Sequence, residues 1–258
     1  MNLDIYLYGL YAMLSFALAG WLVSLYRKNV THVDSMWSLF FVLAGFVYAI
    51  KAGVFSDRSM IVLVLVTVWA VRLCAYLTWR NWGPHEDHRY AEIRRNNAPY
   101  FSIKSLYIVF GLQSILAWIV SLPILAAVTS SEPISIIDVV GISIVGFGLV
   151  WETLADWQLS LFKADPKNKD KVLESGVWRY SRHPNYFGEF AIWWGFFLIA
   201  LATGAFWALF SPLLMTFLLL KFSGVALLEK DIGNRRPAYA AYIKCTNAFF
   251  PGPRKTVK

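Results

Sequence analysis

Seven apolar stretches divide the chain, and each is long enough to cross roughly 30 Å of hydrocarbon as a helix. They run from Ile5 to Tyr26, Met36 to Ala52, Ser59 to Trp79, Lys104 to Val128, Ile136 to Leu161, Tyr186 to Thr203 and Trp207 to Leu228. Polar loops separate the first six, and only a short Gly/Phe/Trp/Pro turn around Gly204 to Pro212 separates the last two, which we expect to form a tight hairpin. The pattern predicts an all-α fold, a polytopic membrane helix bundle with about seven transmembrane helices.

Composition supports a membrane protein, because 58% of the 258 residues are hydrophobic and 17% are aromatic. A soluble domain of this length is not normally so apolar. The net charge is +8, but the cations gather in particular loops rather than along one face. This distribution favours membrane topology and an anionic cofactor, and we expect no nucleic-acid partner.

The cysteines and histidines predict neither a disulfide framework nor a metal site. Cys74 and Cys245 lie in a helix and in the basic tail, far apart in sequence. His85 and His88 lack the two-histidine helical spacing of a zinc motif, and the sequence has no further cluster of candidate ligands to complete a site with them. We therefore expect no metal.

Charge predicts the orientation of the helices. The loops after the first, third and fifth spans and the C-terminal tail hold most of the cations. By the positive-inside rule, the C-terminus is predicted to be cytoplasmic and the N-terminus outside. The first stretch lacks a basic leader and reads as a retained span. Compact loops favour the bacterial inner membrane over the endoplasmic reticulum.

A polar, cationic and aromatic run from Ser175 to Gly195 passes directly into an apolar segment. Arg179, Arg182 and His183 stand just ahead of Pro184, a residue that starts a helix well. The cations are thus predicted at a helix N-terminus, which makes an anion site of the kind that phosphates occupy. Topology signals and an interfacial aromatic belt are the alternative interpretation.

Ionisable residues inside or beside the predicted spans are costly without a use. Asp34 lies at the mouth of the second span, Arg72 lies within the third, and Glu152 and Asp156 lie one turn apart in the fifth. Such groups face a polar cavity or form structural ion pairs. The loop from Asn81 to Asn97 is rich in acids, histidines and arginines, and its alternative interpretation is a solvated loop.

The tail after the last span places Arg235, Arg236, Tyr239 and Tyr242 close together. Basic residues with interleaved tyrosines can bind anionic lipid headgroups. They can also close over a nucleotide, with the arginines on phosphate and the rings on a base. We favour the nucleotide for these four residues and membrane lipid for the cations at the extreme C-terminus.

The motifs resemble those of a known family. Residues 176–189 read GVWRYSRHPNYFGE, residues 152–158 read ETLADWQ, and similarity extends from about Asp34 to Pro251. The chain resembles the DUF1295 branch of the steroid 5-alpha-reductase-like membrane proteins. Sterol C14-reductases carry a similar central segment, and so do isoprenylcysteine and phospholipid methyltransferases, whose RHPxYxG segment binds S-adenosylmethionine.

The resemblance implies a single membrane domain, 1–258, with N-terminal helices and a cytoplasmic loop in 1–103 and cofactor-binding helices and tail in 104–258. NADPH would enter from the cytoplasm, and an apolar substrate from the bilayer would receive a hydride at an activated C=C bond. The residues expected to bind the cofactor are Arg72, Arg89, Arg94, Asp156, Lys163, Arg179, Tyr180, Arg182, His183, Asn185, Tyr186, Glu189, Arg235, Arg236, Tyr239 and Tyr242.

Hydride transfer to an enone builds negative charge on its carbonyl oxygen, which requires a proton donor in a dry site. The expected catalytic residues are Asp34, Glu189 and Tyr90. The steroid enzymes carry a Gln-Glu pair where this chain has Val33 and Asp34, so the substrate class stays open between steroid-like and lipid-like enones. The alternatives are an S-adenosylmethionine-dependent methyltransferase acting on a lipid or lipidated substrate, and a non-catalytic lipid-binding or scaffold protein.

Overall fold

The computed structural model describes residues 1–83, 85–222, 225, 229 and 237–255. Every regular element within these residues is helical, so the predicted all-α class is confirmed. The helices, numbered in chain order, are α1 Leu3–Arg27, α2 Val33–Ala52, α3 Asp57–Arg80, α4 His88–Asn96, α5 Phe101–Val120, α6 Leu122–Val128, α7 Ile136–Ala164, α8 Pro184–Leu201, α9 Phe210–Phe217 and α10 Pro237–Cys245.

Five of these helices, α1, α2, α3, α5 and α7, are long and apolar enough to cross a membrane. This confirms the membrane character of the chain. The fourth predicted span differs, because α5 ends at Val120 and α6 begins at Leu122 with a proline in its first turn. Proline cannot donate the backbone hydrogen bond that would continue the helix. The seven-span count and the orientation of the termini stay predictions.

Within the described residues, which include the seventh predicted span as far as Phe222, the sixth and seventh predicted spans form shorter helices. Helix α8 begins at Pro184, as the sequence predicts, and runs for 18 residues. The last apolar stretch is assembled from a 3-10 turn at Phe206–Leu209, then α9, then a π-helical segment at Leu218–Phe222. Changes of helix type inside an apolar stretch are typical of local strain or of functional sites.

The described chain groups into two compact units. The first contains Met1–Ser135 with Ala200–Ala208, and the second contains Ile136–Ile199 with Leu209–Lys258. In the first unit, α2 packs against α1 and α3 and buries Phe40, Phe41 and Tyr48 completely. The Tyr48 hydroxyl lies 2.8 Å from the Ser121 hydroxyl, so its polar end is satisfied within the core. The single-domain organisation stays a prediction.

In the second unit, α7 and α8 approach each other through glycines. Gly141 faces Gly195, and Gly148 faces Gly188. A Cβ atom built on Gly148 would lie 2.6 Å from the Gly188 carbonyl oxygen. Small residues let helix backbones come this close, and membrane helices use them because burial of apolar area gives little attraction in lipid.

We predict that Gly148→Ala destabilises the protein, because its methyl group would collide with backbone atoms that cannot rotate away. Overpacking of this kind costs about 1–3 kcal/mol. Gly146→Ala on the same helix is the matched control, since its Cβ would meet nothing within 4 Å. Thermal unfolding in detergent measures both. Equal melting temperatures for the two variants would contradict the close helix approach.

Candidate functional site

Asp34, near the start of α2, is the centre of a polar cluster in the first unit. Arg89 Nη2 donates to Asp34 Oδ2 at 2.6 Å, and the Tyr90 hydroxyl donates to Asp34 Oδ1 at 2.5 Å. Both partners lie in the first turn of α4. Asp87 begins that helix by accepting the Arg89 backbone N–H at 2.9 Å, which is the capping role that aspartate favours. The structure thus brings together three residues that the sequence predicted for the site.

Gln113 completes this cluster, and the sequence analysis missed it. Its side-chain nitrogen donates to the Tyr90 hydroxyl at 3.1 Å. Gln113 follows a π-helical segment at Leu106–Gly111, and such segments recur at functional sites. The available signal was an amide inside an otherwise apolar span, where polar residues are costly.

The Tyr90 side chain is buried, with only 6% of its surface exposed. Burial raises the pKa of Tyr90 well above its ordinary value, and the nearby charge of Asp34 and the hydrogen bond to it act in the same direction. The hydroxyl therefore keeps its proton at physiological pH. It is a neutral donor beside a carboxylate, and its proton can be directed to Asp34 or to an oxygen brought close to it.

Two neighbouring residues, Glu86 and Asp87, hold the loop that leads into α4. Glu86 accepts from Arg94 at 2.7 and 2.8 Å and from the Val30 backbone N–H at 3.0 Å. Burial alone would raise the pKa of Glu86, but these hydrogen bonds outweigh it and lower that pKa. The Asp87 backbone N–H donates to the Thr31 hydroxyl at 2.9 Å. The loop is therefore held against the connection between α1 and α2.

In the second unit, Arg182 is buried and directed at protein acceptors. Its Nε and Nη2 donate to the two carboxylate oxygens of Glu229 at 2.7 and 2.8 Å. Its Nη1 donates to the backbone oxygens of Ile243 at 3.1 Å and Thr246 at 2.5 Å. This bidentate geometry is the strongest that an arginine makes with a carboxylate. In this structure, Arg182 positions neighbouring segments.

His183 also contacts the Glu229 carboxylate. Its Nε2 lies 2.9 Å from Glu229 Oε1, and its ring stacks on Tyr186 with 5.7 Å between centroids and 3° between planes. Burial would raise the pKa of Glu229, but the contacts from His183 and Arg182 prevail and lower it to about 2. The sequence analysis did not place Glu229 in the site, since its partners lie 46 and 47 residues earlier.

The C-terminal segment packs against the residues that precede α8. The Tyr242 hydroxyl donates to the Trp178 carbonyl and, at 3.2 Å, to the Ser181 carbonyl. The Ser181 hydroxyl donates to the Phe249 carbonyl at 2.7 Å, and the Arg182 backbone N–H donates to the Asn247 carbonyl at 2.9 Å. Tyr242 is fully buried by these contacts. Hydrogen bonds therefore join the described C-terminal segment to the Arg182–His183 segment.

Other predicted site residues of the second unit differ in how far they are exposed. Asn185, in the first turn of α8, donates to Asp156 on α7 at 3.4 Å. Asp156 and Glu189 are buried, whereas Lys163, Arg179 and Tyr180 are exposed. Arg179 is an exposed cation just ahead of the N-terminus of α8, a position that favours an anion.

The remaining predicted residues divide into three groups. Arg72 is half-buried in α3 of the first unit. Tyr239 lies in α10 with its ring 5.3 Å from that of Tyr242. Arg235 and Arg236 lie outside the described residues. The roles assigned to all of these residues as cofactor contacts stay predictions.

The helices and the two polar clusters define an integral membrane protein that buries partnered ionisable side chains. The chain belongs to the DUF1295 family, described as proteins of unknown function, whose profile matches residues 20–246. It is similar to the uncharacterized protein C594.04c of Schizosaccharomyces pombe, with 27% identity over 93% of this chain and 78% of that protein. No solved structure gives a significant match to the chain.

We predict that Glu229→Gln removes an acid-sensitive part of the stability. The folded pKa of Glu229, about 2, is below its ordinary 4.5, so its contribution is complete above about pH 4.5 and is lost as the pH falls towards 2. Hydrogen bonds to a charged group contribute about 1.5–3 kcal/mol. Melting temperatures from pH 7 to pH 3 measure the effect.

The control for this prediction is Glu174→Gln, which breaks a more exposed pair with Arg254. Exposed pairs contribute about 0–1 kcal/mol, so this variant should follow the wild type closely. If Glu229→Gln and the wild type lose stability in parallel between pH 4.5 and pH 3, the pairing of Glu229 is contradicted.

Proposed function

We propose that this protein is an NADPH-dependent membrane reductase that transfers a hydride to the activated C=C bond of an apolar, steroid-like or lipid-like enone. The observation that carries the proposal is the hydrogen bond from buried Tyr90 to half-buried Asp34, a pair held by Gln113 and Arg89. A neutral hydroxyl donor in a poorly solvated site is the group that an enone reduction requires.

The chemistry assigns a role to each member of the cluster. NADPH, when bound, supplies the hydride that adds to the carbon furthest from the carbonyl group. Negative charge then develops on the enone oxygen, towards which the Tyr90 hydroxyl would turn its single proton from Asp34. Before substrate binds, Asp34 accepts that proton; Gln113 donates to the Tyr90 oxygen, and Arg89 balances the charge of Asp34. Protonation of the adjacent carbon by water completes the saturated ketone.

Residues of the second unit are suited to hold the cofactor. Exposed Arg179 forms no ion pair within the described part of the chain, and it stands close in sequence to the N-terminus of α8, so it can contact a phosphate. Asn185 and Glu189, one turn apart on α8, would contact the nicotinamide end, as the resemblance implies. Arg182 would act indirectly, because its donors already bind Glu229 and backbone oxygens.

The proposal includes a topology and a location. The chain would have seven spans, an outer N-terminus and a cytoplasmic C-terminus, so that the cofactor reaches the site from the cytoplasm. The substrate would come from the surrounding lipid. The bacterial inner membrane is the proposed location, because the spans are joined by compact loops.

A methyltransferase dependent on S-adenosylmethionine is the second candidate, and one observation favours it. Arg182, a predicted phosphate ligand, is occupied by Glu229, which leaves fewer cations for a cofactor with phosphates. S-adenosylmethionine carries no phosphate and has a sulfonium cation, so it needs fewer arginines. A lipid or lipidated molecule would be its substrate.

We predict that Tyr90→Phe lowers NADPH-dependent reduction of a steroid 4-en-3-one probe without weakening NADPH binding. Removing one donor to a developing oxyanion lowers kcat by about 10²–10³-fold. Tyr107→Phe is the matched control, because Tyr107 on α5 is 60% exposed whereas Tyr90 is 6% exposed. NADPH oxidation and product formation are followed together, using purified protein in detergent.

Two conservative variants test whether Asp34 and Gln113 position the Tyr90 hydroxyl. Asp34→Asn keeps the size of the side chain, removes its charge and should lower kcat more than it changes KM. Gln113→Glu keeps the length of the side chain but replaces the amide donor to Tyr90 with an acid, which should shift the pH dependence of turnover. If Tyr90→Phe reduces the probe as fast as the wild type, Tyr90 is not the donor.

A further inference from the structure

A second polar site lies in the first unit, where α1 ends and α5 begins. It is a cavity of about 250 Å³. Its lining consists of Ser24, Leu25, Lys28, Val30, Arg94, Phe101, Ser102 and Ser105. Two cations and three hydroxyl groups therefore share a small space with apolar side chains. The mechanism proposed above uses neither the cavity nor Lys28.

Within the described ranges of the chain, the cavity lining holds one cation without an ion-pair partner, Lys28. Arg94 is paired with Glu86 through Nε and Nη2, so those two charges balance each other. No carboxylate among the described residues forms an ion pair with Lys28. Lys28 is exposed and adopts a left-handed conformation at φ 52°, where it ends α1. Its ammonium group extends from a fixed backbone position.

The cavity walls offer hydrogen bonds of the kind that a phosphate accepts. Lys28 has three N–H donors, and Ser102 contributes an exposed hydroxyl group. The Arg94 guanidinium lies over the Phe101 ring, 4.4 Å from its centroid, which fixes the plane of its donors. Phe101 and Leu25 supply apolar surface beside these groups. The site is thus amphipathic, with donors and hydrocarbon together.

Exposed aromatic side chains surround this end of the first unit. The exposed fractions are 91% for Tyr26, 66% for Trp79, 76% for Trp82 and 74% for Tyr100. These residues lie at the end of α1, at the end of α3, just after α3 and just before α5. Large exposed aromatics at helix ends are typical of the headgroup level of a bilayer. The cavity therefore lies where phospholipid phosphates are found.

We propose that this cavity binds the phosphate group of an anionic phospholipid. A phosphodiester carries one negative charge, which matches the single uncompensated charge of Lys28. An added choline cation would be repelled by Lys28, so the site selects phosphatidylglycerol over phosphatidylcholine. Basic pockets between membrane helices are known to take anionic headgroups. The proposal does not depend on the reductase assignment, since Lys28 and Ser102 belong to neither catalytic nor cofactor residues.

The test is a titration of the purified full chain in a neutral detergent, followed by native mass spectrometry. The probes are dioctanoyl-phosphatidylglycerol, dioctanoyl-phosphatidylcholine and inorganic phosphate. We expect one phosphatidylglycerol per chain, bound at least tenfold more tightly than phosphatidylcholine. Lys28→Asn should abolish that preference, since asparagine tolerates the left-handed backbone and carries no charge.

Lys51→Asn is the matched control, because it removes one exposed cation from the other end of the first two helices. It should change the affinity less than twofold. Unliganded melting temperatures of both variants verify that they are folded. A Lys28-dependent response to inorganic phosphate alone would support the phosphate site and assign it to a soluble anion.

Two results would overturn the proposal. Equal binding of both lipids, unaffected by Lys28→Asn, would show that the cavity does not recognise a phosphate. Displacement of phosphatidylglycerol by NADPH would show that the cavity belongs to the cofactor site rather than to lipid. A failure of the reductase assignment leaves the lipid preference unchanged, so the two proposals are separable.

Discussion

The need to compensate carboxylates in poorly solvated places organises both units of this protein. Asp34 is stabilised by Tyr90 and Arg89, and Glu229 is stabilised by Arg182 and His183. Removing a buried charge from its partner is costly, so the segments that supply the partners must fold against the helices. This requirement explains why α4 and the Arg182–His183 segment before α8, both polar, pack against these carboxylates.

Several arginines that the sequence suggests as anion-binding residues are paired with carboxylates of the protein itself. Arg182, Arg89 and Arg94 each donate to a protein carboxylate, so their charges are already balanced. Their geometry supports positioning roles around the clusters. Cations without such partners, including Lys28, are the stronger candidates for binding anions that come from outside the chain. A count of positive residues therefore describes topology better than it describes ligand sites.

Sequence reasoning predicted the features that depend on local pattern. The apolar stretches follow from composition, and the start of α8 at Pro184 follows from proline geometry. The cost of polar groups among apolar ones drew attention to Asp34, whose catalytic role stays a prediction, as does that of Tyr90. The break at Ser121 was missed, because apolar residues continue on both sides of it. Gln113 and Glu229 were missed as partners, since only tertiary packing brings them to Tyr90 and His183.

The central claim is that this chain binds NADPH, and ligand-dependent thermal stability tests it most directly. A ligand that binds only the folded state stabilises it by about 2.7 kcal/mol at 100 times its Kd. The purified protein is melted with NADPH, NADH or S-adenosylmethionine, each added separately. The account predicts that NADPH raises the melting temperature more than NADH does and that S-adenosylmethionine leaves it unchanged. A rise with S-adenosylmethionine alone would contradict the account and support the methyltransferase.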